Sequence, residues 1–260
     1  MFFSIIVPAL VQSLTEFLPI SSSGHLILLE KFQISPQTLV MDIALHVGTL
    51  LAVIIYFWRD IRDMILGIFQ KGYRRDLLKQ VIIATLPIVI IGFFLKTVIE
   101  DTFRSVVLIA CTSIFYGILL WAVDAYAPRK KTFREITLKS AFFIGCAQVL
   151  SLIPGTSRSG ITMTCARFLG ISREASARFS MLLSVPAIGL GAVYVLFCAW
   201  REAQLSGAMI DQIGAGIIWA GLFGFLVIWG LMKWIKHASF AVFGIYRVIL
   251  GGALIGYLFF

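Results

Sequence analysis

Charge is what this chain has least of. Only 13% of its 260 residues are Asp, Glu, Lys or Arg, against about a quarter in a soluble domain, and that scarcity excludes an ordinary solvated fold. The four cysteines, Cys111, Cys146, Cys165 and Cys198, are scattered through apolar stretches without the close spacing of a zinc site, so they read as small packing residues. The opening run MFFSIIVPALVQSL has no basic region ahead of it and no small-residue cleavage pattern. It is therefore expected to belong to the fold rather than to a removable signal peptide. The net charge of +9 does not argue for nucleic acid, because the Lys and Arg residues fall between hydrophobic runs, where orientation signals belong.

What the chain has in abundance is hydrocarbon: 60% hydrophobic residues and a mean hydropathy of +0.96. This describes an all-α, polytopic helical membrane protein. Six runs are long enough to cross a bilayer core of about 30 Å as helices: residues 40–57, 80–96, 105–124, 176–199, 213–232 and 240–259. Basic residues crowd the loop at 58–79 (Arg59, Arg62, Lys71, Arg74, Arg75, Lys79) and the loop at 125–139 (Arg129, Lys130, Lys131, Arg134, Lys139). Lys233 and Lys236 lie between the last two runs. These loops are expected on the cytoplasmic side. The loops at 97–104, with Glu100 and Asp101, and at 200–212 are expected outside, together with both termini.

Two shorter apolar runs, residues 1–14 and 140–153, lead straight into the polar stretches QSLTEFLPISSSGH at 12–25 and PGTSRSGIT at 154–162. Each reads as a re-entrant helical hairpin. Leu18, Pro19, Ser21 and Ser22 resemble Ile153, Pro154, Thr156 and Ser157 at an offset of 135, about half the chain. One hairpin followed by three spans in each half, roughly 1–124 and 140–260, makes a single membrane domain with an inverted repeat, since an odd number of crossings turns the second copy over. The hairpins then enter from opposite sides and their broken tips meet within the membrane. Unpaired polar groups there cost several kcal/mol each, so a retained cluster is expected to serve a substrate or ion. Proline ends each helix, and the helix ends at the break favour an anion.

Several residues carry candidate chemistry. Arg158, flanked by Ser157 and Ser159 and followed by Thr162, offers a planar fork of permanent charge among hydroxyl and backbone donors, which suits phosphate. An ordinary loop arginine is the competing reading. His25 is a candidate base, acid or nucleophile, or else a hydrogen-bonded structural histidine. Ser21, Ser22 and Ser23 are candidate nucleophiles or helix caps. Glu16 and Gln12, one helical turn apart, suit a hard divalent cation bridging to phosphate, against the alternative of a buried Glu paired with an arginine such as Arg158. Asp42 and His46, also one turn apart, read equally as support for the site or as structure. Arg247, beside Tyr246 in the last span, reads as a member of an internal ion pair.

With these motifs in place, the chain resembles the undecaprenyl-pyrophosphate phosphatases of the bacitracin-resistance type over essentially its whole length. The first signature is met by Gln12, Glu16, Pro19, Ser21, Ser22, Gly24 and His25, and the second by Pro154, Gly155, Ser157, Arg158, Ser159 and Thr162. The resemblance implies hydrolysis of the terminal phosphate of a polyprenyl diphosphate at the outer face of the bacterial inner membrane. It also implies recycling of the carrier lipid for peptidoglycan, with a divalent cation, magnesium or calcium, as cofactor. One departure is that Gln12 stands where many members have Glu, which leaves Glu16 as the principal acidic ligand. On this basis Arg158, Ser157, Ser159 and Thr162, with Ser21, Ser23, Gly155 and Thr156 around them, are expected to bind the diphosphate. Ser22 is expected to attack with His25 as base, or His25 itself to attack.

Two rival classes remain at the level of sequence. A transporter of a lipid phosphate or small anion also uses inverted repeats and broken helices. The type 2 phosphatidic-acid phosphatases require a histidine six residues after the Ser-Arg arginine, where this chain has Thr164. The expected partners are the lipid diphosphate and the membrane, with no nucleic acid; a homodimer is left open.

Overall fold

A hydrocarbon slab admits only backbone that satisfies its own hydrogen bonds, and this chain answers with helices throughout. The computed structural model describes residues 2–31, 39–102, 105–201 and 207–259, and contains no strand among them. Two helices form the first hairpin, α1 (Phe2–Phe17) and α2 (Ser22–Lys31). They are followed by α3 (Leu39–Tyr56), α4 (Trp58–Leu66), α5 (Tyr73–Thr102) and α6 (Val106–Tyr126). The second half holds α7 (Leu138–Val149), α8 (Arg158–Phe168), α9 (Arg173–Arg201), α10 (Gly207–Trp234) and α11 (Ala241–Phe259). The loops expected at 97–104 and 200–212 lie partly outside the described residues, as does the Cys198 side chain.

Five stretches, within α5, α6, α9, α10 and α11, are long and apolar enough to span a bilayer. The sixth expected span, 40–57, corresponds to α3, which meets α4 at a bend of 80°. The reason lies in the next residues: Arg59, Asp60, Arg62 and Asp63 cannot follow α3 through hydrocarbon, so the chain turns. The guanidinium groups of Arg59 and Arg62 lie 5.8 and 5.1 Å from the half-exposed Trp58 ring, an arrangement suited to a helix lying along the interface. The two hairpins are present as helix, break and helix. Their first arms are longer than expected in one case, because α1 runs on to Phe17; Gln12, Thr15 and Glu16 therefore sit on a helix rather than in a polar loop.

Small residues let the helices meet closely. A Cβ on Gly117 of α6 would lie 2.9 Å from the Gly244 carbonyl oxygen of α11, and one on Gly244 would lie 2.7 Å from that of Gly117. In membranes, where burying hydrocarbon drives little, such backbone approach is what holds helices together. Elsewhere α3 and α1 pack on α10, and α7 packs on α5. Ser13 of α1 donates to the Ala220 carbonyl of α10 at 3.0 Å.

One end of the bundle is tied by charge. Asp124, 1% exposed at the end of α6, accepts from Arg167 Nε of α8 at 2.9 Å and from Arg173 Nη2 of α9 at 2.7 Å. It also caps α11 by accepting from the Phe240 N–H at 3.0 Å. Arg167, fully buried, spends its other donors on the carbonyls of Ala127, Pro128 and Ile171. The basic loop before α7 is pinned alongside: Lys131 N–H donates to Gly170 O, and Ser172 N–H to Lys131 O. In that loop the Thr132 hydroxyl and N–H both donate to Glu135, which holds its carboxyl below the usual range.

Candidate active site

The two breaks are built alike. In the first, α1 stops at Phe17 and Pro19 prevents its continuation. Ser21 then turns the chain at φ 81°, and its Oγ accepts from the Gly24 N–H at 3.4 Å, capping α2. In the second, a 3-10 turn at Leu150–Leu152 leads past Pro154 to Ser157, at φ 71°, whose Oγ accepts from the Gly160 N–H at 3.1 Å, capping α8. Positive φ is uncommon for a residue with a side chain, and these serines are its only non-glycine instances among the described residues.

The matched turns correct the register of the repeat. Ser21 and Ser157 stand 136 apart rather than the 135 expected from aligning the prolines. At 136, Gln12 falls opposite Gln148, Thr15 opposite Ser151, Ser23 opposite Ser159 and Gly24 opposite Gly160. Ser22 then falls opposite Arg158.

The tips meet. A Cβ on Gly24 would lie 3.7 Å from Gly155 Cα, and Ser159 Oγ donates to the Leu18 carbonyl at 3.0 Å. Arg158 Nη2 donates to Glu16 Oε1 at 2.9 Å, a contact 142 residues apart in sequence. The other oxygen of Glu16 accepts from Ser22 Oγ at 2.9 Å and from Gln12 Nε2 at 3.3 Å, with His46 Nε2 at 4.0 Å. Glu16, 7% exposed, is thus the hub through which both tips are joined. Around the Glu16–Arg158 pair, Thr15, Ser21, Ser22, Ser151, Ser157 and Ser159 line a chamber of about 160 Å³. The N-termini of α2 and α8 both lie at these tips, and helix N-termini favour an anion.

Other candidates sit elsewhere. Thr162 is fully buried; its hydroxyl donates to the Arg158 carbonyl at 2.8 Å and meets Ser180 Oγ at 2.7 Å, so it supports Arg158 from behind. Ser180 completes that support, its carbonyl accepting from Arg158 Nη1 at 3.0 Å. Thr156 is also fully buried and does not line the chamber. Gly155, at φ +85°, is a turning residue whose missing Cβ makes room for Thr112 and the Ile109 carbonyl. Ser23 lies on α2, but its side chain is outside those described.

His25 is held by two partners, neither of them Ser22. Its Nδ1 lies 2.7 Å from the Ser21 carbonyl, which only accepts, so Nδ1 carries the proton. Nε2, left as an acceptor, lies 2.7 Å from the Tyr246 hydroxyl, with the rings stacked at 5.8 Å. Asp42 and His46 line a second cavity that also reaches Glu16 and Arg158.

Arg247 departs from the expected ion pair. Fully buried, it has no carboxylate within salt-bridge distance among the described residues. It donates instead to the carbonyls of Gly155 at 2.7 Å and of Pro19 and Thr112 at 3.4 Å, bracing both tips from α11. Arg247→Met is expected to lower kcat/KM about a hundredfold by letting the tips drift, the cost typical of a misplacement near 1 Å. Arg247→Lys is not expected to restore it, since a point ammonium cannot span three carbonyls. Steady-state phosphate release measures both.

Cation binding can be tested on the donor atoms. No cluster of three His, Cys, Asp or Glu residues suited to a metal occurs among the described residues. Gln12 Oε1, however, is buried with no hydrogen-bond partner on the same side chain that contacts Glu16. An orphaned oxygen beside one carboxylate fits magnesium, which commonly takes one or two protein oxygens and completes its shell with water and phosphate.

Sequence reasoning missed Thr15, Ser151, Ser180 and Thr112. The first two were signalled by the 136 register, in which a hydroxyl one residue before Glu16 recurs in the second half. The third and fourth, on α9 and α6, carried no local signal.

The family described as bacitracin resistance protein BacA matches residues 5–253. The chain is 45% identical to an undecaprenyl-diphosphatase of Alteromonas mediterranea, covering 99% of this chain and 98% of the relative. It is 42% identical to one of Desulforudis audaxviator, covering 95% and 94%. Similarity to one of Saccharophagus degradans is also 42%, covering 97% and 96%.

Proposed function

The chain belongs to the bacitracin resistance protein BacA family, and from that premise we propose that it is a membrane undecaprenyl-diphosphatase. It releases the terminal phosphate of undecaprenyl diphosphate, leaving undecaprenyl phosphate for peptidoglycan synthesis and so conferring bacitracin resistance. The observation that carries the chemistry is Glu16 bonded at once to Ser22 and to Arg158.

In our reading Arg158, Ser157, Ser159 and the N–H groups at the start of α8 hold the diphosphate. Ser22 Oγ attacks the terminal phosphorus and its proton passes to Glu16 Oε2, 2.9 Å away. The bond from that phosphorus to the bridging oxygen breaks, and the lipid monophosphate leaves with the bonding electrons. Water then attacks the phosphoserine, giving inorganic phosphate and returning the proton to Ser22. Glu16 is preferred to His25 as the base because the ring nitrogens of His25 are engaged by Ser21 and Tyr246. Magnesium or calcium at Gln12 Oε1 and Glu16 would offset phosphate charge. The basic loops support an orientation with this site facing the periplasm, and the family supports a bacterial inner-membrane location. The pairing of α1 with α10 and of α7 with α5 supports the inverted repeat of residues 1–124 and 140–260, since exchanging the halves maps one pair onto the other.

Purified protein in detergent is expected to release phosphate from undecaprenyl diphosphate, to lose that activity to a chelator and to regain it with magnesium or calcium. A transporter, which needs a sealed membrane, releases none, and that result overturns the phosphatase reading. Activity that survives exhaustive chelation overturns the cation assignment alone. Sizing the same preparation distinguishes a monomer from a homodimer.

A further inference from the structure

The serine-lined chamber does not end at the Glu16–Arg158 pair. On its other side the same two residues form one wall of a larger cavity, of about 360 Å³, between α3 and α9. The remaining walls differ in kind from those of the first chamber. Apart from Asp42 and His46, they are Ile43 of α3 with Ala187, Ile188, Gly191 and Ala192 of α9. A hydroxyl-rich chamber thus opens, across one ion pair, onto a predominantly hydrocarbon one.

Gly191, exposed on α9 beside this cavity, contributes no side chain to its wall: its φ is not positive, and among the described residues a Cβ there would meet no atom within 4 Å.

We infer that the cavity between α3 and α9 receives the first isoprenoid units of the lipid diphosphate whose phosphates lie in the serine-lined chamber. This rests on the phosphatase reading and adds to it the path of the hydrocarbon. The ligand's chemistry changes from dense negative charge to branched hydrocarbon at the phosphate ester, and the protein's lining changes in the same order at Glu16 and Arg158. Ala187, Gly191 and Ala192 contribute little side chain to the α9 wall of the cavity. Asp42 and His46 lie at the polar end, near where the ester oxygen emerges.

The test is Gly191→Phe, with Ala187→Leu as a second variant of smaller volume and Gly191→Ala as the control for helix propensity. Phosphate release is measured for a long-chain polyprenyl diphosphate and for methyl diphosphate, which has no isoprenoid unit. Gly191→Phe is expected to raise KM for the long-chain substrate about tenfold, the effect of expelling a few buried methylene equivalents. It is expected to leave kcat, and kinetics on methyl diphosphate, within about twofold. Ala187→Leu shifts KM the same way by less, and Gly191→Ala does not. An unchanged long-chain KM in folded Gly191→Phe and Ala187→Leu proteins overturns the inference while leaving the phosphatase reading intact. So does an equal loss on both substrates, which marks general damage. If Gly191→Phe fails to fold, Ala187→Leu decides. An unmodified protein inactive on every lipid diphosphate fails the phosphatase reading itself, and the inference with it.

Discussion

Arg158→Ala is expected to reduce kcat/KM for undecaprenyl diphosphate by at least about a thousandfold, the scale on which phosphoryl transfer loses a positioned charge in a dry site. Arg158 is 13% exposed in its side chain and brings a guanidinium charge to the lining of the serine chamber. In the proposed reaction, removing it takes away electrostatic stabilisation of the leaving and transferred oxygens together with the geometry that aligns them. Ser22→Ala is expected to be comparably severe if its oxygen is the attacking atom. The pair separates two roles: Arg158→Lys restores part of the charge but not the bidentate fork, and should recover KM more than kcat, whereas Ser22→Thr keeps a hydroxyl. Rapid-quench assays with radiolabelled terminal phosphate provide the measurement. A folded Arg158→Ala protein with near-normal turnover removes the central assignment.

Asp124→Ala carries the largest expected effect on stability. The substitution leaves Arg167, with no exposed surface, and the largely buried Arg173 without their shared counter-charge, and strips the start of α11 of its cap. Breaking a buried pair by removing one partner costs about 3–5 kcal/mol, because the surviving charge stays desolvated. A fall in the detergent melting temperature of several degrees is expected, with Asp124→Asn intermediate because its amide keeps one acceptor. Any activity lost should return when the assay is run at low temperature, which separates this network from the chemistry. A melting temperature unchanged in Asp124→Ala refutes the assignment of Asp124 as the tie between α6, α8, α9 and α11.

The contrast between those two residues explains which parts of the molecule can be read from the chain. Helix spans are legible because hydrocarbon thickness dictates their length, and α6, expected at 105–124, is found at Val106–Tyr126. The meeting of Glu16 and Arg158 follows from two polar breaks in opposed hairpins, a pattern visible without coordinates. Asp124 has no such pattern. It looks like the ordinary end of a span, and its arginines lie 43 and 49 residues away, on α8 and α9. Arg247 was misread for a related reason: a charge in a span invites the expectation of an opposite charge, whereas here the breaks expose backbone carbonyls that accept its donors. The one-residue error in the repeat arose from weighting proline, which only forbids helix, above serine, which adopts the turn.

The bond between Glu16 and Arg158 sets a condition on the proposed reaction. A diphosphate that takes the guanidinium must displace a carboxylate already bonded to it, so capture would exchange one anion for another.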